Sequence, residues 1–111
     1  MGRYQLGELE ELVLLTVAIL QEEAYGNAIA TDLKERVGRK VSIGSLQTVL
    51  KRLEQKGHLS SAFGAATKVR GGKRKKIYTL TNFGRQALED KRQERQRLWD
   101  ALGGGLQPAL D

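Results

Sequence analysis

Between Lys68 and Lys76 the chain reads KVRGGKRKK, six cations and two glycines with no acid among them. Side chains of that type and density are an electrostatic tool for a polyanion. They displace small counterions from a polyanion, which gives an affinity that falls as salt rises. The six are Lys68, Arg70, Lys73, Arg74, Lys75 and Lys76, and their number equals the net charge of +6 on all 111 residues. The remainder of the chain is therefore neutral in sum, and its basicity is equivalent to one patch. Gly71 and Gly72 inside the patch permit positive φ and close backbone approach.

Groups suited to covalent or metal chemistry are scarce. The chain has no cysteine, which excludes disulfides, thiolate nucleophiles and Cys-based zinc sites. Its single histidine, His58, follows Gly57 at an expected helix end and reads as a turn residue or backbone contact. The adjacent acids Glu10-Glu11 and Glu22-Glu23 diverge if they lie on helices. The glycines near Arg70–Lys73 do not follow a phosphate-loop spacing. These absences argue against an enzyme, and no metal or cofactor is expected.

The elements that must carry the patch follow from periodicity. Leu6–Glu22 has apolar residues at Leu9, Leu12, Val13, Val17 and Leu20, a helical spacing. Leu14, Leu15 and Ile19 widen the stripe, so this helix is expected to be central or shared with a second chain. Ala24–Asn27 reads as a turn. A second helix runs to about Val37, with Ile29, Leu33 and Val37 on one face and Gly38 as its stop. Arg39–Val41 is a short extended link. Ser42 caps a third helix with apolar residues at Ile43, Leu46, Val49, Leu50 and Leu53, closed by Gly57. Leu59–Gly64 and Lys75–Leu80 read as the strands of a hairpin with the basic patch at its tip. Thr81 caps a last helix, Asn82 to about Leu102, whose centre Glu89–Arg97 has no apolar residue.

The order helix, helix, helix, hairpin, helix implies a mainly α (α+β) fold, a winged helix-turn-helix with a two-stranded wing. Residues 1–80 form the expected DNA-binding unit, 81–102 a dimerisation helix and 103–111 a flexible tail. In such a unit the third helix enters the major groove with its N-terminal residues nearest the bases. Gly44 and Ser45 allow close approach. Gln47 suits an adenine edge, Thr48 a phosphate or a thymine methyl, and Lys51 or Arg52 a guanine or phosphate. The six wing cations supply affinity with little sequence information.

Two-fold readers need two such helices about 34 Å apart, and this chain has one. Leu9, Leu12 and Val13 on the first helix and Leu88, Leu98, Trp99 and Leu102 on the last are the expected dimer seam. With 40% hydrophobic residues the chain is globular rather than disordered. Its longest apolar run, Leu12–Leu20, falls short of the roughly 20 residues that span a bilayer. A soluble cytoplasmic protein is expected.

Three segments together resemble the PadR family of bacterial winged-helix regulators. They are Leu12–Leu20 with Ala24-Tyr25-Gly26, VSIGSLQTVLKRLEQKG at Val41–Gly57, and RGGKRKKIYTLTNFGRQAL at Arg70–Leu88. The resemblance implies a homodimer on a roughly palindromic operator, usually repressing a nearby gene. It also implies that flat aromatic effectors can lie between helices, which makes Trp99 the candidate lining of an effector pocket. The family often carries Tyr and then Pro where this chain has Gln47 and Thr48, so the docking mode carries over and the operator sequence does not. The alternatives are a non-enzymatic RNA-binding role or a protein-interaction adaptor using the basic hairpin. Single-strand RNA readers stack bases on exposed aromatics, and the basic tip contains none.

Overall fold

The computed structural model describes residues 6–64, 74–104 and 106. Lys68, Arg70, Gly71, Gly72 and Lys73 of the expected wing tip lie outside the described residues, as does most of the expected tail. The elements are α1 (Glu8–Leu20), a 3-10 turn (Gln21–Glu23), α2 (Gly26–Val37), α3 (Ile43–Gln55), β1 (Leu59–Phe63), β2 (Lys76–Leu80) and α4 (Asn82–Leu102).

α1 starts where three acids, Glu8, Glu10 and Glu11, meet the positive end of the helix dipole. The Gly7 N–H donates to Glu10 Oε1 at 2.8 Å and satisfies one free amide of the first turn. Val13, Leu14 and Val17 are buried, while Leu15 and Ile19 are exposed. Val13 was expected at a seam between copies; it is sealed in the core of its own chain instead, facing away from Leu15. Two residues along a helix are about 200° apart, so one of that pair must turn inward.

The turn before α2 is shorter than periodicity suggests: helix begins at Gly26, and only Ala24 and Tyr25 link it to the 3-10 turn. Ile29 and Leu33 are buried, but Val37 is 57% exposed and leaves the expected face. Each four-residue step rotates about 40° beyond a full turn, so two steps carry Val37 off the stripe. Gly38 then adopts φ 71° and closes the helix, its N–H donating to the Leu33 and Lys34 carbonyls.

The Ser42 hydroxyl caps α3, accepting from the Ser45 N–H at 3.1 Å. Leu46, Val49, Leu50 and Leu53 form its buried stripe, whereas Ile43 remains half exposed. The core is α1, α2 and α3 packed together, joined by Ala24, Leu59 and Tyr78. Burial of each Leu contributes about 1.5–3 kcal/mol.

β1 and β2 pair antiparallel, from Leu59 opposite Leu80 to Phe63 opposite Lys76. The Tyr78 N–H donates to the Ala24 carbonyl at 2.9 Å and ties β2 to the link before α2. At the base of the hairpin four element ends converge. Gly57 takes φ 87° and turns the chain out of α3. Its carbonyl accepts from the Thr81 hydroxyl at 2.6 Å, and the His58 carbonyl accepts from the Thr81 N–H at 3.1 Å. The Thr81 hydroxyl oxygen in turn accepts from the Gly84 N–H at 3.0 Å and caps α4. The His58 ring is buried and stacks on Phe83, centroids 4.8 Å apart and 9° from parallel.

α4 keeps the expected bounds. Gly84 is its one buried residue among those described, and its far end exposes Leu98, Trp99 and Leu102. No described helix is long and apolar enough to cross a membrane.

A Cβ on Gly84 would collide with the His58 carbonyl oxygen and sit 2.8 Å from Leu80 Cδ1. Gly84→Ala is therefore expected to destabilise the fold by about 2–3 kcal/mol in urea unfolding. His58 has neither ring nitrogen hydrogen-bonded among the described residues. Burial, then the Lys56 charge, lower its pKa from 6.5, against a smaller opposing effect of Glu10. The unfolded chain therefore binds the proton first, so stability is full above pH 6.5 and falls as pH drops toward the folded pKa. His58→Phe should flatten the fall in melting temperature between about pH 7 and pH 5.

Candidate nucleic-acid interface

α3 presents to solvent the face opposite its buried stripe. Gly44, Ser45, Gln47, Thr48, Lys51 and Arg52 are all exposed on it. Beside it, the α3 face and the wing enclose a groove of about 720 Å³, lined by Gln47, Thr48, Lys51, Glu54, Gln55, Lys76 and Tyr78. The expected contact residues Gln47, Thr48, Lys51 and Lys76 thus share one groove. Gly44, Ser45 and Arg52 lie outside its lining, and Arg74 is exposed just before β2.

The charges of this face differ in how they are used. Lys51, Arg52 and Arg74 form no ion pair with described residues. Lys75 places its Nζ 3.9 Å from the centre of the Tyr25 ring, a cation–π contact with the link before α2. Lys76 Nζ lies 3.8 Å from Glu54 Oε1 and 5.7 Å from the centre of the Tyr78 ring. Two of the expected polyanion contacts are therefore engaged within the chain. The Thr48 hydroxyl is likewise occupied, donating to the Gly44 carbonyl at 3.1 Å.

Gly44 stands in open space. A Cβ built there meets nothing within 4 Å, so no contact within the described chain requires a glycine. A Cβ on Gly26, by contrast, would come 3.0 Å from Gln47 Nε2, which places the Gln47 side chain against the start of α2.

Three participants were not singled out by sequence reasoning. Glu54 accepts from the Ser61 hydroxyl at 2.6 Å as well as pairing with Lys76. Tyr25 receives Lys75. Phe63 stands 64% exposed on β1, opposite Lys76 in register. Only the hairpin register, invisible in local periodicity, brings Ser61 and Lys76 to Glu54.

Two further cavities bear on ligands. One of about 460 Å³ lies between α1 and α4, lined by Leu15, Leu88, Arg92, Arg95 and Trp99 among others. A larger one of about 860 Å³ lies between the end of α1, β2 and the start of α4, away from Trp99. The described residues contain no cluster of His, Cys, Asp and Glu able to hold a metal ion.

A three-helix core whose third helix is followed by a two-stranded hairpin and a long last helix is a winged helix-turn-helix protein. The family model described as "Transcriptional regulator PadR-like family" matches residues 14–90, and the chain belongs to that family. Among solved structures, a PadR family transcription regulator from hypervirulent Clostridium difficile is 32% identical with a TM-score of 0.64, the match covering 84% of this chain and 95% of that one. A PadR-like transcriptional regulator from Bacillus cereus is 28% identical with a TM-score of 0.69, over 91% and 93% of the two chains. A PadR-like transcription factor from Bacteroides fragilis is 28% identical with a TM-score of 0.68, over 86% and 87%. No curated protein matches the chain. The chain is thus a transcription regulator and not an enzyme.

Proposed function

We propose that the chain is a cytoplasmic, sequence-specific regulator that binds duplex DNA as a homodimer on a palindromic operator. α3 enters the major groove, with Gly44, Ser45 and Gln47 nearest the bases and Lys51 and Arg52 on bases or phosphates. Arg74 and the patch residues Lys68, Arg70 and Lys73 add backbone contacts. The observation that carries this reading is Gly44. It stands in the first turn of α3, where helix-turn-helix proteins approach base edges, and nothing within the described chain needs it small. A close approach from outside accounts for it. Repression is the mode that the PadR resemblance suggests.

The homodimer is supported by α4. Its far half packs little on its own chain, and an isolated helix that short is marginal in water. Leu98, Trp99 and Leu102, with Leu15 and Ile19 of α1, remain exposed there. A second copy covering these residues would bury them. Leu9, Leu12 and Leu88, partly buried on their own core, would flank the seam. Trp99 would line an effector pocket at that seam, suited to a flat aromatic ligand.

Band shifts on duplex DNA, single strands and structured RNA over a salt series test the reading; duplex preference supports it, and equal binding to all three contradicts it. Gly44→Ala should raise folding stability by about 0.5–1 kcal/mol while lowering specific duplex affinity at least about tenfold. Unchanged affinity in that variant would remove Gly44 from the interface. Sedimentation velocity should give a species of twice 12.3 kDa, and Trp99→Glu should shift it to the monomer.

A further inference from the structure

We infer that Glu54 is a positioning residue that locks the wing to the recognition helix α3, and that Lys76 serves this clamp rather than the DNA backbone. The inference rests on the duplex-DNA reading for its consequence, but the clamp itself is a property of the free chain.

An acid is out of place in this groove. Glu54 lines the same cleft as Gln47, Thr48 and Lys51, where a carboxylate repels any phosphate that enters. Its contacts explain its presence. Oε2 accepts the Ser61 hydroxyl of β1 at 2.6 Å, and Oε1 pairs with Lys76 Nζ of β2 at 3.8 Å. One carboxylate in the last turn of α3 thus holds both strands of the hairpin. The hairpin is anchored elsewhere too, where Lys75 caps the Tyr25 ring at 3.9 Å and the Tyr78 N–H reaches the Ala24 carbonyl at 2.9 Å. Lys75, just before β2, and Lys76, its first residue, thus tie the start of that strand to the link before α2 and to α3. The anchoring sets the distance between helix and wing before any ligand arrives. DNA that must fill both the major groove contact and the wing contact then meets a fixed spacing, and sequences whose backbone does not match that spacing lose one contact.

The clamp and plain electrostatics predict opposite signs. Removing an anion beside a polyanion site should strengthen binding to every duplex alike. Removing a clamp should weaken discrimination. Glu54→Gln is isosteric and keeps an oxygen for Ser61, so it releases Lys76 alone. Its ratio of operator to random-duplex affinity should fall by about fivefold to tenfold. The charge-swapped double variant E54K/K76E should restore the ratio.

The free chain supplies an independent readout. It has no cysteine, so Glu35→Cys on α2 and Ala62→Cys on β1, both exposed, take spin labels uniquely. Double electron–electron resonance, with labelled chain diluted into unlabelled chain, should show a narrow distance distribution with Glu54. E54Q should broaden it, and E54K/K76E should narrow it again. An unchanged distribution in E54Q, a parallel rise in affinity for both duplexes, or a swap that restores neither readout overturns the proposal. If the unmutated chain selects no duplex sequence while E54Q still broadens the distances, the DNA reading fails and the clamp stands.

Discussion

Gly57 and His58 meet Thr81 and Gly84 at the base of the hairpin, and the orientation of every functional element passes through that contact. α3 ends there, β1 leaves, β2 returns and α4 begins. Thr81 binds all of these with one side chain and one amide, to Gly57, His58 and Gly84. The space is so close that Gly84 cannot carry a Cβ. A buried imidazole stacked on Phe83 fills the inner side. Such a joint has little room to flex, because packed interiors do not deform continuously. α3, the hairpin and α4 are therefore joined at one tight point, and the hairpin beyond it is held further by Glu54 and Tyr25.

Charge is divided between holding the fold and facing outward. The acids of the first turn of α1 each reach a different part of the chain: Glu8 to Arg39, Glu10 to Lys56 and Glu11 to Arg95. The Glu10 pair is the most buried. Burial alone would raise that carboxyl, but the Gly7 N–H and Lys56, with a smaller contribution from Arg52, hold it below its ordinary value of 4.5. It therefore stays ionised and stabilising until the pH falls below that of a free carboxylate. Breaking a buried pair is far costlier than losing an exposed one, so Glu10–Lys56 anchors the end of α3 to α1. On the outer face, Lys51 and Arg74 form no ion pair with described residues, and Arg52 acts on Glu10 only at a distance. A surface that neutralises its inner cations and leaves these bare is suited to an external polyanion.

The elements were largely legible in the sequence because their signals are local. The Ser42 and Thr81 caps, the Gly38 and Gly57 stops and the polar centre of α4 each act within one helical turn, and the bounds of α4 agree with expectation. The readings that changed depend on contacts between distant residues. Val13 and Val37 are equally apolar in sequence, yet one is sealed and the other exposed, because helix phase and the neighbour's position decide which face meets the core. His58 reads as a turn residue or backbone contact, and its backbone does bond Leu53 and Thr81, but the burial of its ring follows only once Phe83 is brought over it. Lys75 and Lys76 read as two more cations of the basic run, and the fold spends them on Tyr25 and Glu54. Glu54 itself carried no signal, since Ser61 and Lys76 join it through hairpin register alone. At the candidate site the exposed face of α3 was readable from its period, and the mechanical link between that face and the wing was not.

Selection of bound sequences from random duplex DNA asks whether a rigid α3-and-wing unit reads duplex DNA in two copies. A short inverted repeat should be enriched, its half-site centres about one helical turn, roughly 34 Å, apart. Recovery of no enriched sequence, or of a single asymmetric site bound by one chain, would contradict that reading.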